Sequence, residues 1–189
     1  MVRLFVEKIA GIYACCDALI TAQDIASASR FQNQSRRMEH LAWRRIVRRE
    51  LGRGVSIDYN DVGAPIVDTP ATSISVAHSR EVVAVAIAEG RVGVDVESTE
   101  RSFERAQSRY MSDSESALSS DALWPCMVWC AKEAIYKCYG RRGVDLRDIL
   151  LTEYDAEHNI IYGIVCQKFC VEVKISHHGK YVVALAIER

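Results

Sequence analysis

Two stretches of this chain occur twice, in the same order, and they limit what it can fold into. Residues 78–87 read HSREVVAVAI and residues 178–187 read HGKYVVALAI. At an offset of 100 (His78 to His178), Val82, Val83, Ala84, Ala86 and Ile87 match Val182, Val183, Ala184, Ala186 and Ile187. Upstream of each, residues 38–55 (MEHLAWRRIVRRELGRGV) and 127–144 (MVWCAKEAIYKCYGRRGV) align at an offset of 89 through Met38/Met127, Ala42/Ala131, Ile46/Ile135 and a shared Arg-Gly-Val. Buried strands draw on the same few residues, so the strand match alone could be coincidence. A helix match in the same order argues for a duplicated supersecondary unit. The expected class is α+β, with pseudo-twofold duplicated lobes, each a small antiparallel sheet packed with a long helix.

Local patterns fill in that plan. Helical spacing of Met38, Leu41, Ala42, Ile46 and Val47 predicts a helix over 31–51, stopped by Gly52. A second helix is predicted over 123–139. Strands are predicted over 73–76, 81–88, 91–97, 150–154, 160–165, 169–175 and 181–187, with Gly90, Asn159 and Gly179 supplying turns. Gly90 is read as closing a hairpin between 81–88 and 91–97. Residues 98–120, rich in Ser and charge, join the halves and are read as the most mobile segment. The division expected is an N-terminal lobe, 1–97, and a C-terminal lobe, 98–189.

Chemistry concentrates in two places. Residues 92–97, VGVDVE, end a strand with Asp95 and Glu97, which are two apart and so leave the same face. Residues 129–137, WCAKEAIYK, place Glu133 and Lys137 four apart on one helix face. Three carboxylates and an ammonium that converge would suit a hard divalent cation and a phosphorylated substrate. Taken singly, the acids are exposed strand residues and Glu133/Lys137 is a surface ion pair; co-occurrence in order makes the site. Arg44 occupies the repeat position of Glu133, so a cleft between like lobes would offer cations on one side and carboxylates on the other.

Bulk properties exclude other classes. The net charge of −1 over 189 residues gives no general attraction to nucleic acid or membrane, although Arg36, Arg37, Arg44, Arg45, Arg48, Arg49 and Arg53 crowd one segment. No run reaches the roughly 18 apolar residues of a membrane span, and the first ten residues do not read as a signal peptide. Seven cysteines without framework spacing suggest reduced thiols and a cytoplasmic location. The pairs Cys126/Cys130 and Cys166/Cys170 are read as small buried apolar residues.

Taken together, VGVDVE and the downstream WCAKEAIYK resemble the signature of the 4′-phosphopantetheinyl transferases of the surfactin-synthetase-activating type. His78-Ser79, the Arg-rich first helix and RYMSDSE at 109–115 extend the likeness over most of the chain. The resemblance implies a two-lobed monomer that moves the phosphopantetheine arm of coenzyme A onto a serine of an apo acyl- or peptidyl-carrier protein and releases adenosine 3′,5′-bisphosphate. It implies Mg²⁺ (or Mn²⁺) on Asp95, Glu97 and Glu133, coenzyme A phosphates on Arg44, His78 and Lys137, and Glu133 with Lys137 as the catalytic pair. The chain departs from the pattern at Ala64, where the family often has Lys, and at Ala77, where it often has Ser. Two other readings compete: a catalytically silent module that binds coenzyme A or a carrier protein, and a different metal-dependent phosphate enzyme. The first would be expected to lose Asp95, Glu133 or Lys137, and the second to show more His and Asp ligands.

Overall fold

Val2–Lys8 forms an N-terminal strand, mostly half-buried, that the sequence reading passed over. The computed structural model describes residues 1–9 and 17–189. In chain order the elements are β1 (Val2–Lys8), α1 (Ala22–Ala28), α2 (Gln34–Leu51), β2 (Ile57–Tyr59), β3 (Pro65–Val67), β4 (Thr72–Ser79), β5 (Val82–Glu89), β6 (Val92–Ser98), α3 (Asp113–Ser116), α4 (Trp124–Tyr139), β7 (Ile149–Asp155), β8 (Ile160–Val165), β9 (Phe169–His178) and β10 (Tyr181–Glu188). The fold is α+β, and every strand pair is antiparallel. Asn33 caps α2 by accepting from the Ser35 amide, and the left-handed Gly140 ends α4.

Three strands form one sheet in the order β1-β5-β4, and five form another in the order β6-β10-β9-β8-β7. The expected hairpin between 81–88 and 91–97 is therefore corrected. Gly90 turns the chain, but β6 leaves β5 and pairs with β10, Asp95 opposite Ala184 and Glu97 opposite Val182. It stands in the second sheet where β1 stands in the first: β1 beside β5 and its hairpin partner β4, β6 beside β10 and its hairpin partner β9.

The repeat survives as topology, but the strand match is out of phase by one residue. Val83, Val85 and Ile87 pack with Trp43, Ile46 and Val47 of α2. In the second sheet Val182, Ala184 and Ala186 pack with Ile135 and other residues of α4. The opposite faces, Val82, Ala84 and Ala86 on one sheet and Tyr181, Val183 and Leu185 on the other, meet in a shared core with Val92, Val94 and Val96. Val82 thus corresponds to Tyr181 and not to Val182. A one-residue slip reverses every side chain, so the resemblance of VVAVAI to VVALAI reflects the common needs of buried strands. The helix match keeps its meaning: Ala42 and Ile46 are buried under the first sheet as Ala131 and Ile135 are under the second.

Layers therefore run α2, three-stranded sheet, five-stranded sheet, α4. β6 lies at the edge of its sheet, and side chains from β4 and α4 take up its unpaired backbone groups. The Val94 amide donates to Ser75 Oγ of β4 at 3.0 Å, and the Val94 carbonyl accepts from Lys137 Nζ at 3.0 Å.

The segment 98–120 is pinned rather than loose. Ser112 and Glu115 form a capping box for α3, Phe103, Tyr110 and Met111 are buried, and the Tyr110 hydroxyl donates to the Pro125 carbonyl at 2.9 Å. Cys126 and Cys130 are buried as expected, whereas Cys166 and Cys170 are exposed at the β8–β9 turn. Among the described residues, no helix is long and apolar enough to cross a membrane.

Candidate active site between the acidic strand and helix α4

Gly93 sets the geometry. A Cβ built there would overlap the Ala134 carbonyl oxygen and lie 2.6 Å from the Cys138 amide nitrogen. Only glycine lets α4 lie this close against β6. That approach carries Lys137 to the strand, where its Nζ donates to Asp95 Oδ1 at 2.8 Å. The other carboxylate oxygen of Asp95 is buried and has no partner. A buried, unpaired carboxylate oxygen is costly and calls for an explanation.

Two more carboxylates crowd the same place. Glu97 Oε1 accepts from the Trp129 indole at 3.1 Å and from Arg101 at 2.5 Å. The Arg101 guanidinium lies over the Phe103 and Trp129 rings, at 5.0 and 5.3 Å. Burial raises the Glu97 carboxyl above its ordinary range, and the charges of Asp95 and Glu133 add to the rise against the pull of Arg101. Burial likewise raises Glu133, with Asp95 adding to it and Lys137 opposing. These groups hold protons more tightly because like charges have been brought together out of water. Sequence spacing anticipated the contact of Asp95 with Lys137, and Glu97 and Glu133 lie near enough to feel the Asp95 charge.

His78, on β4 of the three-stranded sheet, faces the same region. Arg36 Nη1 lies 2.7 Å from its Nε2 and Glu39 Oε2 3.4 Å from its Nδ1. A guanidinium can only donate, so Nε2 accepts and the ring carries its proton on Nδ1, toward Glu39. Burial lowers the His78 pKa, Glu39 resists, and the charges of Arg36 and Lys137 lower it further. The imidazole is accordingly neutral at pH 7.

Arg44 is not where the repeat put it. It is 2% exposed, with Nη1 3.0 Å from Asp24 Oδ1. Arg48 holds the same carboxylate through two hydrogen bonds and also donates to the Arg53 and Val55 carbonyls. Burial would raise the Asp24 pKa, but hydrogen bonds from Arg48, Thr21 and Arg44 hold it far below the usual carboxylate range. Short helix α1, which supplies Asp24, gave no periodic signal and was not anticipated. With α1 laid on α2, the side chain at position 44 becomes part of the core. The α2 cation that borders the cleft is Arg36, in the helix's first turn.

Sequence reasoning also missed Lys132. It is 1% exposed, 2.8 Å from Glu115 Oε1, and donates to the Leu146 carbonyl at 3.1 Å. Glu115 has no oxygen to spare: it also accepts from the Ser112 and Leu151 amides. The signal was an ionisable residue at a helix position flanked by Cys130, Ala131, Ala134 and Ile135, all buried.

Two cavities adjoin, the first between the loop before β3 and the end of α4, the second wholly within residues 31–78. One, of about 240 Å³, runs from Ala64 and Pro65 to Tyr136, Lys137 and Arg141. The other, of about 260 Å³, is lined by Phe31, Arg36, Trp43, Tyr59 and His78. Pro65 and Val76 border both, so the pair forms an elongated cleft with cations along it.

The family model of the 4′-phosphopantetheinyl transferase superfamily matches residues 91–186, which span β6 and α4. The chain belongs to that superfamily. No curated protein matches it. Phosphopantetheinyl transfer with coenzyme A as donor is the activity of the superfamily, and it fits a site of hard oxygen donors beside a cationic cleft. Among the described residues no three acid, imidazole or thiol groups are gathered closely enough to form a metal site on their own. Mg²⁺ commonly takes one or two protein carboxylates and completes its shell with water and substrate phosphate. The unpartnered Asp95 oxygen and the all-oxygen donor set therefore fit such an ion in the superfamily's site.

Proposed function

We propose that this transferase moves the 4′-phosphopantetheine arm of coenzyme A onto a serine hydroxyl of an apo acyl- or peptidyl-carrier protein, in the manner of the surfactin-synthetase-activating type. The observation that carries the reading is the buried, unpartnered Asp95 oxygen, on the carboxylate whose other oxygen is held by Lys137 and near the raised carboxyls of Glu97 and Glu133. Asp95, Glu97 and Glu133 would hold Mg²⁺. When bound, that ion neutralises pyrophosphate charge as a Lewis acid.

The chain's own groups do the rest. Lys137 presents a compact charge to the phosphates from the cavity wall. Arg36 offers donors at the other end of the cleft, beside neutral His78. Arg101 and Trp129 fix one oxygen of Glu97 and leave the other free to turn toward the substrate. Glu133 has no hydrogen-bond partner among the described residues. It receives the serine proton directly or through water. The serine oxygen bonds to the phosphorus that carries the pantetheine arm, the bond to the bridging oxygen breaks, and adenosine 3′,5′-bisphosphate leaves. Positioning and charge neutralisation supply most of the acceleration.

Intact-mass spectrometry tests this. Incubated with coenzyme A and Mg²⁺, members of a panel of apo fatty-acid, polyketide and peptide carriers should gain one phosphopantetheine arm. Coenzyme A binding without any mass gain across the panel would favour the silent binding module instead.

A further inference from the structure

We propose that Arg141 is a phosphate-binding residue of the coenzyme A cleft, an inference that rests on the donor substrate named above. The cavity of about 240 Å³ has two charged residues in its lining, Lys137 and Arg141. Lys137 has two of its three protons on Asp95 and the Val94 carbonyl, leaving one for a phosphate. Arg141 has no ion-pair partner among the described residues, and its guanidinium rests 5.5 Å from the centre of the Tyr139 ring. Its neighbour behaves differently. Arg142 donates to the Asp61 carbonyl at 2.7 Å and so ties the end of α4 to the loop that forms the opposite wall.

The place where Arg141 stands makes a cation necessary for an anionic ligand. The C-terminal end of a helix carries partial negative charge. The left-handed Gly140 closes α4 at this cavity, with its amide returning to the Tyr136 carbonyl. The facing wall, Gly63, Ala64 and Pro65, has no ionisable side chain. A phosphate entering here would meet an unfavourable helix pole unless a positive charge offset it. Arg141 supplies that charge, and its planar fork can grip two phosphate oxygens at once. Lying four residues beyond Lys137, it extends the cationic lining away from the acidic strand. The phosphate it meets is one of coenzyme A's, either the 3′-phosphate or the pyrophosphate.

Steady-state transfer with coenzyme A and with 3′-dephospho-coenzyme A tests the assignment, supported by calorimetric titration of each compound. Arg141 is exposed, so Arg141→Ala should fold. It should raise KM for coenzyme A by about tenfold or more, as expected for loss of a charge-assisted hydrogen bond, while kcat changes little. Arg141→Lys should recover part of the loss, which removal of a merely structural contact with Tyr139 would not predict. A penalty that disappears with the dephospho compound assigns Arg141 to the 3′-phosphate, and one that persists assigns it to the pyrophosphate. Unchanged KM and binding for both compounds in a variant whose parent is active would overturn this inference and leave the proposed function standing. A parent that neither binds coenzyme A nor charges a carrier would overturn both.

Discussion

Lys132 and Glu115 form an ion pair at 2.8 Å with side chains 1% and 2% exposed. It fastens the segment between the lobes to the middle of α4, one residue before Glu133. Breaking such a pair from one side leaves an uncompensated buried charge, at a cost of about 3–5 kcal/mol. Lys132→Met and Glu115→Leu should each lower the urea midpoint by an amount matching that cost, and the double variant should recover part of it. Midpoints unchanged in both single variants would show that the pair does not hold the segment in place.

Glu133 should trade stability for activity. The folded protein holds the Glu133 proton more tightly than the unfolded chain does. The group's contribution to stability is therefore full below the ordinary carboxylate value of 4.5 and is lost as pH rises through the raised folded value. Glu133→Gln removes that loss. Without metal it should melt above the parent at pH 7, and the two should converge near pH 4. Its Mg²⁺-dependent turnover should fall by roughly a hundredfold or more, since Lewis-acid stabilisation is worth several kcal/mol. A variant that melts no higher than the parent at pH 7 would mean that burial and the neighbouring Asp95 charge do not hold the Glu133 proton in the folded protein.

Arg36 and Arg44 should separate binding from folding. Arg44 is sealed beneath α1 on Asp24, so Arg44→Ala should destabilise by about 3 kcal/mol or more and shift the thermal midpoint. Arg36 sits at the cleft mouth beside His78 with its side chain 55% exposed. Arg36→Ala should melt like the parent and raise KM for coenzyme A, with kcat largely retained. The reverse pattern would restore Arg44 as the ligand contact. Circular dichroism and thermal melts on both variants decide which holds.

These contrasts mark how far the sequence could be read. Periods of 2 and 3.6 residues are local, so β4, β5, α2 and α4 were legible, and so was the convergence of Asp95 with Lys137. A strand's partner is not local. Nothing in VGVDVE says that β6 pairs with β10 rather than β5, because both neighbours are equally apolar. Register was equally out of reach: Val82 and Val182 look alike and face opposite ways. Arg44 misled because the residue that claims it, Asp24, lies on a seven-residue helix, too short to announce itself by periodicity.

Gly93 offers the sharpest test of how the fold makes the site. At the corresponding place in the first sheet stands Arg3, whose guanidinium reaches Glu50 of α2 at 3.0 Å. That sheet tolerates a long side chain between strand and helix; the second does not. Gly93→Ala would push a methyl group against the Ala134 carbonyl and the Cys138 amide, backbone atoms that cannot swing aside. Overpacking of this kind costs about 1–3 kcal/mol and occasionally more. Moving α4 outward would also draw Lys137 from Asp95, so the melting temperature and Mg²⁺-dependent transfer should fall together. Gly163→Ala is the control. There the nearest atoms are the side-chain ends Ile135 Cδ1, at 2.7 Å, and Leu151 Cδ2, at 3.3 Å. Those ends can rotate, so this variant should lose less stability and keep its transfer rate. If Gly93→Ala matched the Gly163→Ala control in both measurements, the close approach of α4 to β6 would not be what sets the Lys137–Asp95 contact.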